Sequence, residues 1–384
     1  MVHYLDNAAT TPVRPSAVSA MIPLLTETYG NPSGAHRMAR DANRVLDDAR
    51  ATMADALGAQ PGQIVFTGGG TEADALAVRG TVAARGGIPV CSAIEHHAVL
   101  DPVHHLGGRV VAVGADGRLD LAALEEALDP SVSLVSVMLA NNETGIIQPI
   151  AEAVEIVRRK APGALFHTDA VQALCWVDVA RAAAAADLVS VSAHKFGGPK
   201  GVGVLVVRDG ADPEPLLLGG GQERARRGGT QNVAGIAAMA VAAAETVAER
   251  PAALPRVAAL RDRLADGIRA ALPGVVETGV VGDGGPGAER RHKTANICHL
   301  CFEGIESEAL LFLLEKEDIM ASAASSCASG AIDPSHVLLA MGFERDLAFG
   351  SLRLSLGYGT TEADVDAALA VVPAAVSRLR ERGS

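Results

Sequence analysis

Ser190-Val191-Ser192-Ala193-His194-Lys195-Phe196-Gly197-Gly198-Pro199-Lys200-Gly201 separates two runs of strand character. Asp187 to Val191 precedes it and Val202 to Val207 follows, both apolar and β-branched. Between them lies a turn rich in glycine and proline, with a lysine at its start. A lysine between buried strands is costly to keep charged and unpaired. Burial lowers an ammonium pKa, and the neutral amine is the form that attacks a carbonyl. Ser192 and His194 flank it and suit a nearby anion. Lys195 is thus a candidate for a Schiff base with an aldehyde cofactor, pyridoxal phosphate. The other reading is a surface-turn lysine, a role that fits Lys200 better.

Outward from this stretch, strands alternate with helical patterns. Ile64–Thr67, Pro89–Ser92, Arg109–Val113, Leu134–Leu139 and Ala164–Thr168 read as strands. Pro15 to about Thr28, His36–Leu57, Glu72–Arg85, Ile150–Lys160 and Asn232–Val247 read as helices. The alanine run 182–186 also suits a helix. The alternation predicts an α/β fold with a large, doubly wound, mostly parallel sheet. Arg250-Pro251 through Pro255 punctuates the chain and marks the expected domain boundary. The expected division is a large domain, 15–254, and a smaller α+β domain made of 1–14 and 255–384.

The chain has 384 residues, 49% hydrophobic and 20% charged, with a formal net charge of −12. This is the profile of a globular protein in two domains. No apolar run is long enough to span a membrane. The first residues lack a basic and apolar leader, so the expected location is cytoplasmic. The acidic balance and the lack of a basic arm argue against direct nucleic-acid binding. Five cysteines, an odd count, suggest thiols and not a disulfide framework.

Several turns follow strand ends, where ligands of parallel sheets sit. Thr67-Gly68-Gly69-Gly70-Thr71-Glu72 joins a strand to a helix. It reads as a phosphate cradle or as a plain glycine-rich turn. Asp169 reads as a partner for a pyridine nitrogen or as a helix N-cap. Asn141-Asn142-Glu143-Thr144-Gly145 faces the same crevice or is a polar turn. His96, in Ile94-Glu95-His96-His97, can stack on a ring and move protons, or be a solvated histidine. Arg353, in an apolar strand, needs a carboxylate from the protein or from a substrate. Gly219 to Thr230 is a basic loop that could reach a phosphate or stay solvated. Cys298-His299-Leu300-Cys301 lacks the further ligands of a zinc site and lies in a predicted strand, so no metal is expected. Cys327, among Ser, Ala and Gly, is a reactive thiol or a small buried residue.

Together these motifs resemble the cysteine desulfurases of the NifS/IscS type, class V aminotransferases of pyridoxal phosphate fold type I. The resemblance runs from Tyr4-Leu5-Asp6-Asn7-Ala8-Ala9-Thr10-Thr11 to Arg353-Leu354-Ser355-Leu356-Gly357. Its most specific parts are Asp169-Ala170-Val171-Gln172, Ser192-Ala193-His194-Lys195 and Ser326-Cys327-Ala328-Ser329-Gly330. It implies that Lys195 carries the cofactor, Asp169 meets the pyridine nitrogen and Gln172 the ring hydroxyl. It gives Gly70, Thr71, Ser192 and His194 the phosphate, with Thr230 reaching the phosphate of a neighbouring subunit in a homodimer. It makes His96 the stacking and proton-moving residue. It lets Asn31, Asn142 and Arg353 place the carboxylate of L-cysteine. Cys327 becomes the nucleophile that carries sulfur, as a persulfide, to a protein acceptor or scaffold. A selenocysteine lyase or another class V enzyme is the alternative, and a scaffold without turnover a further one.

The chain departs from the pattern at Tyr358-Gly359, where Arg-Phe is frequent, at Ala328 and at Gly34. The Cys327 segment is not shortened, which fits the NifS/IscS branch. The destination of the sulfur, whether iron–sulfur clusters, thiolated tRNA or phosphorothioate DNA, stays open. The sequence also resembles the DndA-like desulfurases of DNA phosphorothioation.

Overall fold

The computed structural model describes residues 1–280, 289–323 and 334–383. Twelve strands are present among them: β1 (His3–Tyr4), β2 (Ile64–Thr67), β3 (Ile88–Ser92), β4 (Arg109–Val111), β5 (Val132–Ser136), β6 (Leu165–Asp169), β7 (Leu188–Ser192), β8 (Gly203–Val207), β9 (Val275–Glu277), β10 (Ile297–Phe302), β11 (Ile319–Met320) and β12 (Ser351–Ser355). Seven form one sheet in the order β2-β8-β7-β6-β5-β3-β4. Pairings within β4-β3-β5-β6-β7 are parallel, and β8 runs antiparallel to both neighbours.

The sheet is buried on both faces because its strands are apolar at nearly every position. Alternate residues divide cleanly between the faces. Phe66, Val90, Val135, Phe166, Val189 and Val204 join helices Arg37–Leu57, Ile150–Lys160 and the first half of Val233–Ala271. Val65, Cys91, Leu134, Leu165, Leu188 and Leu205 meet Ala73, Leu76, Val99 and Val103 on the other side. A second core gathers Leu5, Val257, Leu264, Leu300, Leu352, Leu354 and Val372 around the antiparallel sheet β12-β10-β9. β1 pairs with β11, so the N-terminus is stitched into this second unit.

Two expectations differ from the fold. The prolines at 251 and 255 do not end a helix: Val233–Ala271 runs through both for 39 residues. Each removes one helical donor at a cost of about 3 kcal/mol, which packing at both ends outweighs. Ala234–Ala243 lies in the first core and Val257–Ile268 in the second, so this helix joins them. The alanine run is helical only at its start, because the helix Val179–Ala182 stops there and Ala183 to Ala186 turns into β7.

Candidate active site

Every strand from β5 to β7, and β2 and β3 beside them, ends toward one crevice. Asp169 is the last residue of β6, and Lys195 closes the 3₁₀ turn Ala193–Lys195 directly after β7. His96 follows β3 and caps the helix His97–His105, with its Nδ1 accepting from Ala98 N–H at 3.0 Å. That bond puts the neutral ring's proton on Nε2. Burial pushes the His96 pKa down, countered by the Asp169 charge. Burial pushes Asp169 up, while the Val171 N–H at 2.8 Å and the charges of His96 and Lys195 pull the other way. His96, Asp169 and Lys195 therefore act on one another electrostatically.

The lysine turn is clasped by the N-terminal segment. Lys195 Nζ donates to the carbonyls of Ala8 (2.6 Å) and Ala9 (2.9 Å). Gln172 Nε2 donates to the same Ala8 oxygen at 2.6 Å. Thr11 Oγ1 donates to His194 O and accepts from Gly197 N–H, both at 2.9 Å. Gly197 has φ of +84°, and a Cβ there would strike the Arg14 side chain at 2.6 Å, so glycine is required. Arg14 in turn holds Phe196 O and Glu249, and lies 4.3 Å over the Tyr358 ring. Tyr358, one of the departures, thus braces the lysine turn through Arg14. Lys200 is exposed at the far end of the turn, as the surface reading expected.

A cavity of about 750 Å³ opens at the start of the lysine turn, against Ser192 and His194. Gly68, Gly69, Gly70, Thr71, Ser192 and His194 contribute to its wall. A Cβ on Gly70 would meet Val171 at 2.9 Å, so only glycine lets this backbone come so close. Burial lowers the His194 pKa to about 4, which leaves a neutral ring whose Nδ1 meets Thr10 Oγ1 at 3.2 Å.

Arg353, in β12, is buried. Its Nη1 donates to Asn142 O (2.9 Å) and its Nη2 to Asp6 Oδ1 (2.8 Å), while Nε has no partner among the described residues. Asp6 is the carboxylate that the sequence reading required without naming. The Ser335 hydroxyl donates to the Glu143 carboxylate. Ser322 pairs with Arg353 in an isolated bridge. Cys327 itself lies outside the described residues, as does the glycine-rich stretch 281–287.

Two expected residues stand apart. Asn31 is exposed in a turn where its Oδ1 accepts from Ser33 N–H at 3.0 Å. Thr230 is exposed at the end of the loop that follows Gly221. Cys298, His299 and Cys301 are buried within β10, and no cluster able to hold a metal occurs among the described residues. Sequence reasoning missed Glu95. It is fully buried, with Oε1 accepting from Ser92 Oγ (2.6 Å) and Met138 N–H (2.8 Å), and burial pushes its pKa up to about 8. Its place beside His96 in the same motif was the available signal.

The family model described as aminotransferase class-V matches residues 3–368. An IscS-like cysteine desulfurase of Mycobacterium tuberculosis is 44% identical over 391 residues, covering 98% of this chain and 97% of that one. A solved NifS-like protein superposes with a TM-score of 0.89 at 35% identity, over 98% of this chain and 100% of the other. The crystal structure of DndA from Streptomyces lividans gives 0.73 at 34% identity, over 92% and 99%.

Proposed function

This chain belongs to the aminotransferase class-V family, and from that premise we propose that it is a pyridoxal phosphate-dependent cysteine desulfurase. It converts L-cysteine to L-alanine and leaves the sulfur as a persulfide on Cys327. One observation carries the reading: Lys195, Asp169 and His96 act electrostatically on one another at the strand ends, and the residues before Lys195, Ser192 and His194, line a glycine-walled cavity.

The residues fit the cofactor. Gly68, Gly69 and Gly70 line the cavity without side chains, with Thr71 and Ser192 as hydroxyl donors for an anion. Asp169, buried and within the electrostatic reach of Lys195 and His96, suits a ring nitrogen that must keep its proton. Gln172 supplies a side-chain amide near the lysine. When bound, pyridoxal phosphate supplies a ring that draws electrons from the substrate's Cα.

The remaining work is the protein's own. Lys195 would hold the cofactor, and the Ala8 and Ala9 carbonyls position its Nζ. His96 has one ring nitrogen, Nε2, free of the backbone for proton traffic. Arg353 offers its fork to the substrate carboxylate with Asn142 alongside, in exchange with Asp6. Asn31 joins them once substrate is present. Cys327 takes the sulfur atom: its thiol hydrogen goes to the alanine product, so atoms balance.

We read the active unit as a homodimer, with exposed Thr230 reaching the neighbour's phosphate site. The two cores support domains of 15–254 and of 1–14 with 255–384. No described helix is long and apolar enough to cross a membrane. The four described cysteines are free thiols, which suits a cytoplasmic enzyme handing sulfur to a protein acceptor.

The test is chemical. The protein with pyridoxal phosphate should be yellow, and hydride reduction should abolish the band and label a peptide containing Lys195. Label on Lys200 instead would overturn the assignment.

A further inference from the structure

The cavity assigned to the cofactor phosphate contains a residue that should repel it. Glu72 lines the same wall as Gly68, Gly69, Gly70 and Thr71. A carboxylate beside a bound phosphate weakens it through like-charge repulsion. The only lysine of that lining, Lys200, is exposed, and His194 is neutral.

Glu72 is not left to face the cavity alone. Its Oε1 accepts from Arg227 Nε at 2.8 Å, and its Oε2 from Arg227 Nη2 at 3.3 Å and from Gly68 N–H at 2.7 Å. Arg227 comes from the basic loop, and that loop is shaped at a cost. Glu223, Arg224 and Ala225 lie in the left-handed region at φ of +49°, +58° and +63°. Three successive residues with side chains adopt this only when their surroundings force it. The force is visible: the buried Glu223 carboxylate sits in the fork of Arg50 at 2.7 and 2.9 Å. It also accepts from Phe66 N–H and Gln231 Nε2, both at 3.0 Å. Gly228 N–H closes the loop onto Leu217 O at 2.8 Å.

We propose that Arg227 is a positioning residue for the cofactor phosphate, holding the Glu72 carboxylate on Gly68 and cancelling its charge so that the cavity accepts a dianion. The inference rests on the cofactor assignment above. It separates Arg227 from Thr230: one loop serves its own cavity through Arg227 and offers Thr230 outward.

The test compares pyridoxal phosphate with pyridoxal, which lacks the phosphate, for binding to apoprotein by fluorescence quenching. Arg227→Ala should weaken pyridoxal phosphate about tenfold, the scale of one partly exposed charge contact, and leave pyridoxal unchanged. Adding Glu72→Gln to Arg227→Ala should restore binding, because no charge is then left to mask. Glu72→Gln alone should bind pyridoxal phosphate at least as tightly as wild type. That single variant decides the matter even if Arg227→Ala folds poorly. Equal loss of both ligands without rescue, or weaker binding by Glu72→Gln, would overturn the proposal. Wild-type protein that binds no pyridoxal phosphate would instead remove the assignment beneath it.

Discussion

Lys195 and Gln172 share one acceptor: both donate at 2.6 Å to the carbonyl oxygen of Ala8. A residue near the N-terminus thus holds two groups from opposite sides of β7. Lys195 Nζ also donates to the Ala9 carbonyl at 2.9 Å, so backbone oxygens of the N-terminal segment position it.

Arg353 should act on binding more than on chemistry. Lysine at this position keeps the charge and loses the fork that holds Asn142 O and Asp6. Arg353→Lys should raise KM for L-cysteine by about 10- to 100-fold, the value of one charged hydrogen bond, with a smaller change in kcat. Steady-state alanine formation measures it.

Glu95 should make stability fall with rising pH. Its folded pKa is raised from 4.5 to about 8 by burial. The folded state therefore binds the proton more tightly than the unfolded one, and its contribution is complete below pH 4.5. It is lost as pH rises toward 8. Glu95→Gln, neutral throughout, should flatten the unfolding midpoint over that window relative to wild type. Asp169 acts on Glu95 through its charge, so the difference reads Glu95 together with that coupling. Chemical denaturation at several pH values reads it out, and parallel curves would exclude the effect.

The Arg50–Glu223 pair should be costly to break and cheap to replace. Arg50→Ala leaves the Glu223 carboxylate buried without its fork, a loss of about 3–5 kcal/mol. Arg50→Met with Glu223→Leu should lose much less. Ala225→Gly should stabilise by about 1 kcal/mol, because glycine accepts the left-handed turn freely. Urea unfolding checks all three.

Thiol reactivity should single out Cys327. Burial pushes Cys175, Cys298 and Cys301 up to about 12, and Cys91 higher still. A thiol so far from ionisation reacts slowly. Alkylation of the folded protein near pH 8 should modify the peptide containing Cys327 and spare the other four. Rapid labelling of Cys298 or Cys301 would contradict the burial argument.

The sheet was legible because its strands are short, apolar and closed by turns of glycine, asparagine and aspartate. Lys195, Asp169 and His96 stand at or just after the ends of such strands, where the motifs placed them. Their neighbours across the fold were not legible. Asp6 lies 347 residues from Arg353, and Arg227 lies 155 from Glu72; no local pattern connects such pairs. The prolines at 251 and 255 misled for a physical reason. Proline weakens a helix locally, but a helix shared by two cores is held from both ends.

The central claim is that sulfur leaves L-cysteine onto Cys327, and mass spectrometry tests it most directly. Protein loaded with pyridoxal phosphate is mixed with L-cysteine without reductant and then digested. The account predicts one added sulfur atom on the peptide containing Cys327, with L-alanine released. It also predicts that Cys327→Ser still binds the cofactor and changes its absorbance with L-cysteine, yet releases no sulfide. Normal sulfide release by Cys327→Ser, with no sulfur added to the wild-type peptide, would contradict it.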